Sequence, residues 1–447
     1  MNETKNMKNS ELVKRFIPYY KPFIPTLIFD LLCATLTSIG ALVLPPIVSS
    51  IINKAQNDIS SLTPEFITKV GVLYVALRII DSLAYYYMAT TGHIMGVKLE
   101  ANMRMDLFTH LQTLPLSYYN TTKIGQLMAR ITSDLFDITE FAHHCPEEFW
   151  IAALKFTVSF IILININVPL TVILFVMVPI MYLGTRYFNK RMRKAFKDSR
   201  HHVGEINSKV EDSLLGVRVV QSFANESNEI KHFGEYNDEF VRIKKKAYKY
   251  MGGFHTVTQL FDGLMYIIVI VIGAFLLING SISAGDYVAY VLYVSTLLTV
   301  VKVLVQYTEQ FQRGMTGIER FFEIMDVESD ITDSPNAIKL SNVKGDIEFK
   351  NVSFRYDEKN PKVFSNISEK VPAGTSIALV GPSGGGKTTL VNLLPRFYDV
   401  TDGTIEIDGI NIKDIKISSL RGNIGMVQQD VYLFSSTVFD NIQYGKP

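Results

Sequence analysis

The most specific chemistry in the chain lies in eight consecutive residues, Gly381-Pro382-Ser383-Gly384-Gly385-Gly386-Lys387-Thr388. They follow the spacing G-x-x-x-x-G-K-[ST], and each position has a physical reason. Glycines let successive backbone N–H groups turn inward on phosphate oxygens, and a helix expected from Thr388 to Leu394 brings its positive dipole end to the same place. Lys387 adds a fixed cation, and the Thr388 hydroxyl is of the type that ligates Mg²⁺ beside a bound phosphate. A β-type run, Ser376-Ile377-Ala378-Leu379-Val380, enters the loop and an apolar helix leaves it. That context separates a phosphate-binding loop from an ordinary glycine-rich turn.

Other reactive types are sparser. Asp30, Lys69, Arg78, Asp81, Lys155, Asp262 and Lys302 fall inside long apolar runs, where ionisable groups are costly and therefore candidates for function. Arg78 and Asp81, three apart, are expected to pair on one helix face, and Lys69, Lys155 and Lys302 to snorkel from the ends of the runs. Asp30 and Asp262 then remain as candidate ligand contacts. His143-His144-Cys145 has the residue types of a metal site, but adjacent residues point around a helix, so a solvated or interhelical role is expected there and at His201-His202. Cys33 and Cys145 are the two cysteines and define no disulfide framework.

The elements that must carry these residues show in the composition. Of the 447 residues, 48% are hydrophobic and 19% charged; about 25% charged is typical of soluble domains, so a membrane class is favoured. The formal net charge of +1 implies no general affinity for polyanions, and no nucleic-acid partner is expected. Six apolar runs approach the roughly 20 residues needed to span a bilayer. They lie near 22–52, 66–88, 149–166, 170–187, 254–278 and 287–307, the first broken by Pro45-Pro46. The polar start MNETKNMKNSELVKRF leads into a run too long for a signal-peptide core and is read as uncleaved.

The connecting loops alternate. Asn53 to Glu65, Asn165 to Pro169 and Asn279 to Asp286 carry one basic residue between them, Lys54, whereas 89–148 and 186–250 are long and basic. Positive charge marks the cytoplasmic side, which places both termini there. Leu12, Val13, Phe16, Ile17 and Tyr20 fall at helical spacing beside Lys14, Arg15 and Lys21, so residues 1–21 read as a cytoplasmic interfacial helix. The long loops hold apolar periodicity and read as helices continuing out of the membrane. The expected organisation is a transmembrane domain over 22–327, a linker over 328–345, and the N-terminal part of an α/β nucleotide-binding domain over 346–447.

Further stretches make the pattern specific: Val352-Ser353-Phe354-Arg355-Tyr356, Arg396-Phe397-Tyr398-Asp399, Gly403, Ile407-Asp408-Gly409 and Ile424-Gly425-Met426-Val427-Gln428-Gln429-Asp430. Weaker echoes are Phe108 to Tyr119 with Gly125-Gln126, Gly216 to Phe223, and Gly280 to Gly285. With these the chain, from about Ser10 to Pro447, resembles a bacterial ABC exporter half-transporter of the multidrug and lipid-flippase type. The fold so implied is a six-helix transmembrane bundle with long cytoplasmic helical extensions, followed by an incomplete α/β P-loop nucleotide-binding domain.

The resemblance implies ATP with Mg²⁺ as the bound pair. Tyr356 would stack on adenine, Gly381, Pro382, Ser383, Gly384, Gly385, Gly386, Lys387, Thr388 and Thr389 would hold the nucleotide, and Thr388 with Gln429 would approach Mg²⁺. Lys387 and Gln429 would serve the chemistry, Gln429 also coupling the site to the membrane helices. Gln428 stands where many family members have proline, a change expected to alter loop stiffness. Residues near Leu116 to Ile124 and Leu215 to Ser222 would form coupling helices. The family's signature sequence, Walker B strand, catalytic glutamate and switch histidine do not occur before Pro447, and the sequence is expected to be truncated, with hydrolysis by this fragment alone doubtful. Further implied are a second half-transporter as partner, a homodimer by default symmetry, a multi-pass place in the cell membrane, and amphipathic substrates such as drugs, lipids or peptides. Two alternatives stay open: a heterodimer half with one degenerate ATP position, and an ATP-gated sensor or channel, against which the intact Lys387 and Gln429 argue.

Overall fold

The computed structural model describes residues 8–357, 360–428 and 431–445. They gather into two compact units, one bounded by Met1–Arg104 and Thr132–Phe321, the other by Met105–Ile131 and Phe322–Pro447. The helices come in the order α1 (Asn9–Tyr20), α2 (Ile24–Asn57), α3 (Pro64–Tyr87), α4 (His93–Thr113), α5 (Leu116–Thr121), α6 (Ile124–Ala129), α7 (Leu135–Ile166), α8 (Val168–Leu215), α9 (Val217–Ser222), α10 (Glu226–Ile278) and α11 (Ala284–Met325). Single π turns, Met88–Gly92 and Arg130–Asp134, precede α4 and α7.

Local signals start these helices where the sequence changes texture. The Thr63 hydroxyl accepts the Phe66 N–H at 3.2 Å ahead of α3, and Asn167 Oδ1 accepts the Leu170 N–H at 3.1 Å ahead of α8. At α11, Ser283 Oγ accepts the Asp286 N–H while the Asp286 carboxylate accepts the Ser283 N–H, a reciprocal cap. The six apolar runs fall on α2, α3, α7, α8, α10 and α11, the first starting in the 3-10 turn Lys21–Phe23 and the second ending at Met88 in the π turn. Among the described residues five helical stretches are long and apolar enough to cross a membrane, within Asn9–Asn57, Ile124–Ile166, Val168–Leu215, Glu226–Ile278 and Ala284–Met325. The helix α3, which carries Lys69, Arg78 and Asp81, is not one of the five.

With 48 and 53 residues, α8 and α10 reach roughly 70 and 80 Å, more than twice the ~30 Å hydrocarbon core. They pack antiparallel: Ser213 bonds Glu229 at 2.5 Å, the His202 ring reaches the Tyr236 carbonyl at 2.9 Å, and Lys244 lies over the Phe196 ring at 5.3 Å.

The expected break at Pro45-Pro46 does not occur; α2 runs through both prolines to Asn57. Pro46 has no N–H to give to the Leu42 carbonyl one turn back, and an orphaned carbonyl in an apolar interior should disrupt the helix. Here the hydroxyl of fully buried Tyr293, on α11, donates to that oxygen at 2.9 Å. The neighbouring Tyr290 does similar work at the α7–α8 turn, its hydroxyl within 2.9 Å of the Leu163 and Asn167 carbonyls and 2.8 Å from the Thr171 hydroxyl. Both tyrosines sit in a core with Leu42, Leu163, Leu170, Leu174, Met265, Val269 and Leu297.

The second unit holds a four-stranded antiparallel sheet of order β2-β1-β3-β4, built from β1 (Ile347–Phe354), β2 (Phe364–Val371), β3 (Asp402–Ile407) and β4 (Ile410–Asn411). Asp408 and Gly409, with φ of 51° and 78°, make the two-residue turn between β3 and β4 that the right-handed twist of a hairpin favours. The helix α12 (Lys387–Leu393) packs Leu390 and Leu393 against Phe349, Val352, Phe354 and Ile405. The run Ser376 to Val380, expected as a strand of an α/β sheet, forms no strand among the described residues, and Val380 is 92% exposed. An apolar central strand needs ladder partners on its edges to be covered, and none of the described residues pairs with this one. The sheet observed is therefore antiparallel.

Candidate functional site

The phosphate loop is set between the sheet and α12. Gly384 and Gly386 take φ of 80° and 81°, the left-handed region that glycine enters without strain. A Cβ on Gly386 would stand 2.9 Å from both Val363 and Phe364, so at this position the loop has room for glycine alone. Lys387 Nζ curls back onto the loop and donates to the Gly381 and Pro382 carbonyls at 2.8 and 2.7 Å. Neutral carbonyls are weak partners for an ammonium beside what a phosphate offers. The loop thus holds its cation in place and leaves it exchangeable, and this residue set fits a nucleotide's phosphates. Gly381 to Gly385 and Thr388 are exposed, Gly386 and Lys387 half-buried. Thr388 has a hydroxyl on the exposed side, where it suits Mg²⁺.

Thr389 is placed differently from the other loop residues. It is buried, and its hydroxyl shares a 2.8 Å hydrogen bond with that of Tyr356. Tyr356 follows β1, is 49% exposed, and packs edge-on against Phe354 at 4.8 Å and Tyr398 at 5.2 Å. One face of a flat, nearly rigid aromatic is thereby kept available beside the phosphate loop. Gln429 lies outside the described residues.

Tyr398 was only part of a motif in the sequence; in the structure it is a junction. Its hydroxyl accepts a hydrogen bond from Asn120 Nδ2, on α5, at 2.7 Å. The turn beneath it is rigid: buried Arg396, at φ 54°, bonds Asp399 through two nitrogens at 2.8 and 3.3 Å, and Arg421 donates to the Pro395 and Arg396 carbonyls, each at 3.0 Å. Burial pushes the Tyr398 phenol above its usual range, so it stays neutral and able to bond. The line Asn120, Tyr398, Tyr356, Thr389 joins α5 to the first turn of α12. No periodicity could have revealed it, because its members come from three distant stretches. The adjacent Arg-Phe-Tyr-Asp motif was the available signal. The other expected coupling stretch, Leu215 to Ser222, folds as the end of α8 and α9.

Among the charges in the apolar runs, Arg78 and Asp81 pair at 2.8 Å as expected, and Lys69 pairs with Glu65 at 2.6 Å on an exposed face. Asp262 lies 3.7 Å from Lys302. Asp30 is fully buried, and among the described residues neither of its oxygens has a hydrogen-bond partner.

A membrane-helical part followed by a nucleotide-binding part is the architecture of one class of protein, and comparison with known families agrees. Residues 27–301 match the ABC transporter transmembrane region and residues 364–446 the ABC transporter domain. Over 441 residues the chain is 37% identical to the uncharacterized ABC transporter ATP-binding protein YwjA of Bacillus subtilis, taking in 97% of this chain and 75% of that protein. It is 30% identical to the putative multidrug export ATP-binding/permease protein YgaD of the same organism, over 98% of this chain and 76% of that one. It is 31% identical to the ATP-dependent lipid A-core flippase of Desulfotalea psychrophila, over 98% and 76%. The chain belongs to the ABC transporter family and has the domain architecture of its exporters: a membrane protein with an ATP-binding domain.

Proposed function

We propose that the chain is one half of a homodimeric exporter that moves amphipathic compounds, drugs, lipids or peptides across the cell membrane, driven by ATP. The similarity to a multidrug export protein and to a lipid flippase supports that substrate class. In this reading α3 is the second of six spans, added to the five longer apolar stretches, its Arg78 and Asp81 crossing as a mutually neutralised pair. Residues 1–21 lie at the cytoplasmic interface, 22–327 form the transmembrane domain, 328–345 the linker and 346–447 part of the nucleotide domain. Both termini and that domain are cytoplasmic.

The residues divide the work. Gly381 to Gly386 orient backbone donors, Lys387 leaves its two carbonyl partners for phosphate oxygens, and Thr388 and Gln429 would hold Mg²⁺, which would supply charge neutralisation at the terminal phosphates. Tyr356 presents its free face to the adenine. Thr389 holds the Tyr356 hydroxyl and through it the aromatic junction. Asn120 on α5 feels any shift of Tyr398, so nucleotide occupancy biases the helices that continue from α5 into the membrane. A complete site needs a partner chain's surface opposite the loop.

The observation that carries this reading is the exchangeable Lys387 cradle joined by the tyrosine junction to α5. Lys387→Ala in the full-length protein should remove Mg-ATP binding measured by calorimetry and abolish ATP-dependent transport in reconstituted vesicles. Unchanged transport would overturn the site assignment.

A further inference from the structure

Two adjacent histidines on α7 were expected to point around their helix, but a third, from α4, comes to meet them. One ligand nitrogen from each of His93, His143 and His144 lies within 4.8 Å of the others. Ring centroids are 4.6 Å apart for His93 and His143, 5.0 Å for His93 and His144, and 3.9 Å for the adjacent pair. We propose that these three imidazoles bind a divalent first-row transition-metal ion of the zinc class, tying the start of α4 to α7.

The decisive feature is His143. It is 2% exposed, and its Nδ1 lies 2.8 Å from the Thr139 carbonyl. A carbonyl only accepts, so Nδ1 carries the proton and Nε2 keeps its lone pair. That Nε2 is buried and has no hydrogen-bond partner among the described residues. A ring oriented by a backbone carbonyl on one nitrogen and bare on the other is the arrangement in which metal-binding histidines are usually held. Three neutral imidazoles favour zinc, copper or nickel over magnesium or calcium.

The surroundings fit. Tetrahedral zinc with ~2.0–2.1 Å bonds sets its nitrogens about 3.3 Å apart, so the set must close by roughly 1.5 Å. His93 is exposed and free to turn by side-chain rotation. Gly96, one turn beyond it, lets α4 approach: a Cβ there would stand 2.8 Å from Thr139 Cγ2 and 3.1 Å from His143 Nδ1. The π turn Met88–Gly92, a feature frequent at functional sites, ends directly before His93. Carboxylates border the cluster. Glu140 lies 3.7 Å from His144 Nε2, and unpartnered Asp30 places Oδ1 3.0 Å from where a Cβ on Gly92 would be. A dication would balance the Asp30 carboxylate, which has no hydrogen-bond partner among the described residues.

The test uses purified full-length protein stripped of metal and titrated with Co²⁺, then Zn²⁺. Wild type should take up one Co²⁺ per chain with a visible d–d band, Zn²⁺ should abolish the band, and His93→Gln and His143→Gln should each weaken binding by at least ~100-fold, as loss of a ligand must exceed the 10–100-fold effect of losing its outer partner. His201→Gln, at an exposed histidine on α8, should bind as wild type does. Absence of the band in wild type, or an affinity unchanged by His93→Gln, would overturn the proposal. Should His143→Gln fail to fold, His93→Gln still decides, because His93 lies outside the core.

Discussion

Tyr293→Phe isolates a single hydrogen bond whose need arises from the covalent chemistry of proline. Removing the hydroxyl leaves the Leu42 carbonyl with neither the Pro46 N–H, which does not exist, nor the Tyr293 donor 2.9 Å away. A buried acceptor left bare costs about 1–3 kcal/mol; measured side-chain hydrogen bonds in membrane bundles average about 0.6 and reach about 1.7. Because Tyr293 is fully buried, a loss of about 1 kcal/mol is expected. In a Pro46→Ala background the alanine amide can bond Leu42 within the helix, so the same substitution should cost less than about 0.3 kcal/mol, a coupling near 0.7 kcal/mol in the double-mutant cycle. Unfolding of the four proteins in detergent can be followed through the single tryptophan, Trp150, whose indole N–H bonds Thr35 at 2.9 Å. Equal losses in both backgrounds would refute the account, since the tyrosine would then be stabilising something other than the proline's orphan.

Gly386→Ala forces a left-handed φ on alanine and brings its Cβ to 2.9 Å from Val363 and Phe364; about 1–2 kcal/mol of local strain should weaken Mg-ATP binding in calorimetry by about 5- to 30-fold while the helical content stays constant. Asn120→Ala removes the bond to Tyr398, and should lower transport more than ATP hydrolysis in reconstituted vesicles; a proportional loss of both would argue against a coupling role. The Asp408 carboxylate accepts the backbone N–H groups of Asp346, Lys344 and Gly345 at 2.9, 2.8 and 3.0 Å, which hold it below the usual carboxylate range. Its contribution is present above the unfolded value of about 3.9 and lost as pH falls through the lower folded one. Asp408→Asn, which keeps a turn-compatible residue, should therefore be less stable than wild type near pH 6, with the gap narrowing below about pH 4 in denaturant titrations; a pH-independent gap would contradict this.

What the sequence disclosed and what it withheld follow from how far each feature reaches. The phosphate loop was legible because its spacing is a local demand of backbone geometry, and the long helices because apolar periodicity is local too. Pro45-Pro46 misled for the opposite reason: the donor that keeps α2 whole sits on α11, invisible to any window along the chain. His93 stayed hidden for the same cause, since a histidine pair suggests nothing about a third member across an interhelical contact. The run Ser376 to Val380 has strand composition but no ladder partner among the described residues, and strand formation depends on neighbours more than on propensity. Tyr356 and Tyr398 were both noticed in motifs; that their rings touch required the turn fixed by Arg396.

The length of α10 has a mechanical corollary. A rod of 53 residues, some 80 Å from tip to tip, converts a ~5° rocking about one extremity into roughly 7 Å of travel at the other. Ångström-scale displacements at such a rod's distal end would therefore correspond to only fractions of a degree at its base, and stiffness along its shaft, shared with α8 through contacts such as Ser213 on Glu229, becomes a quantity on which selection can act.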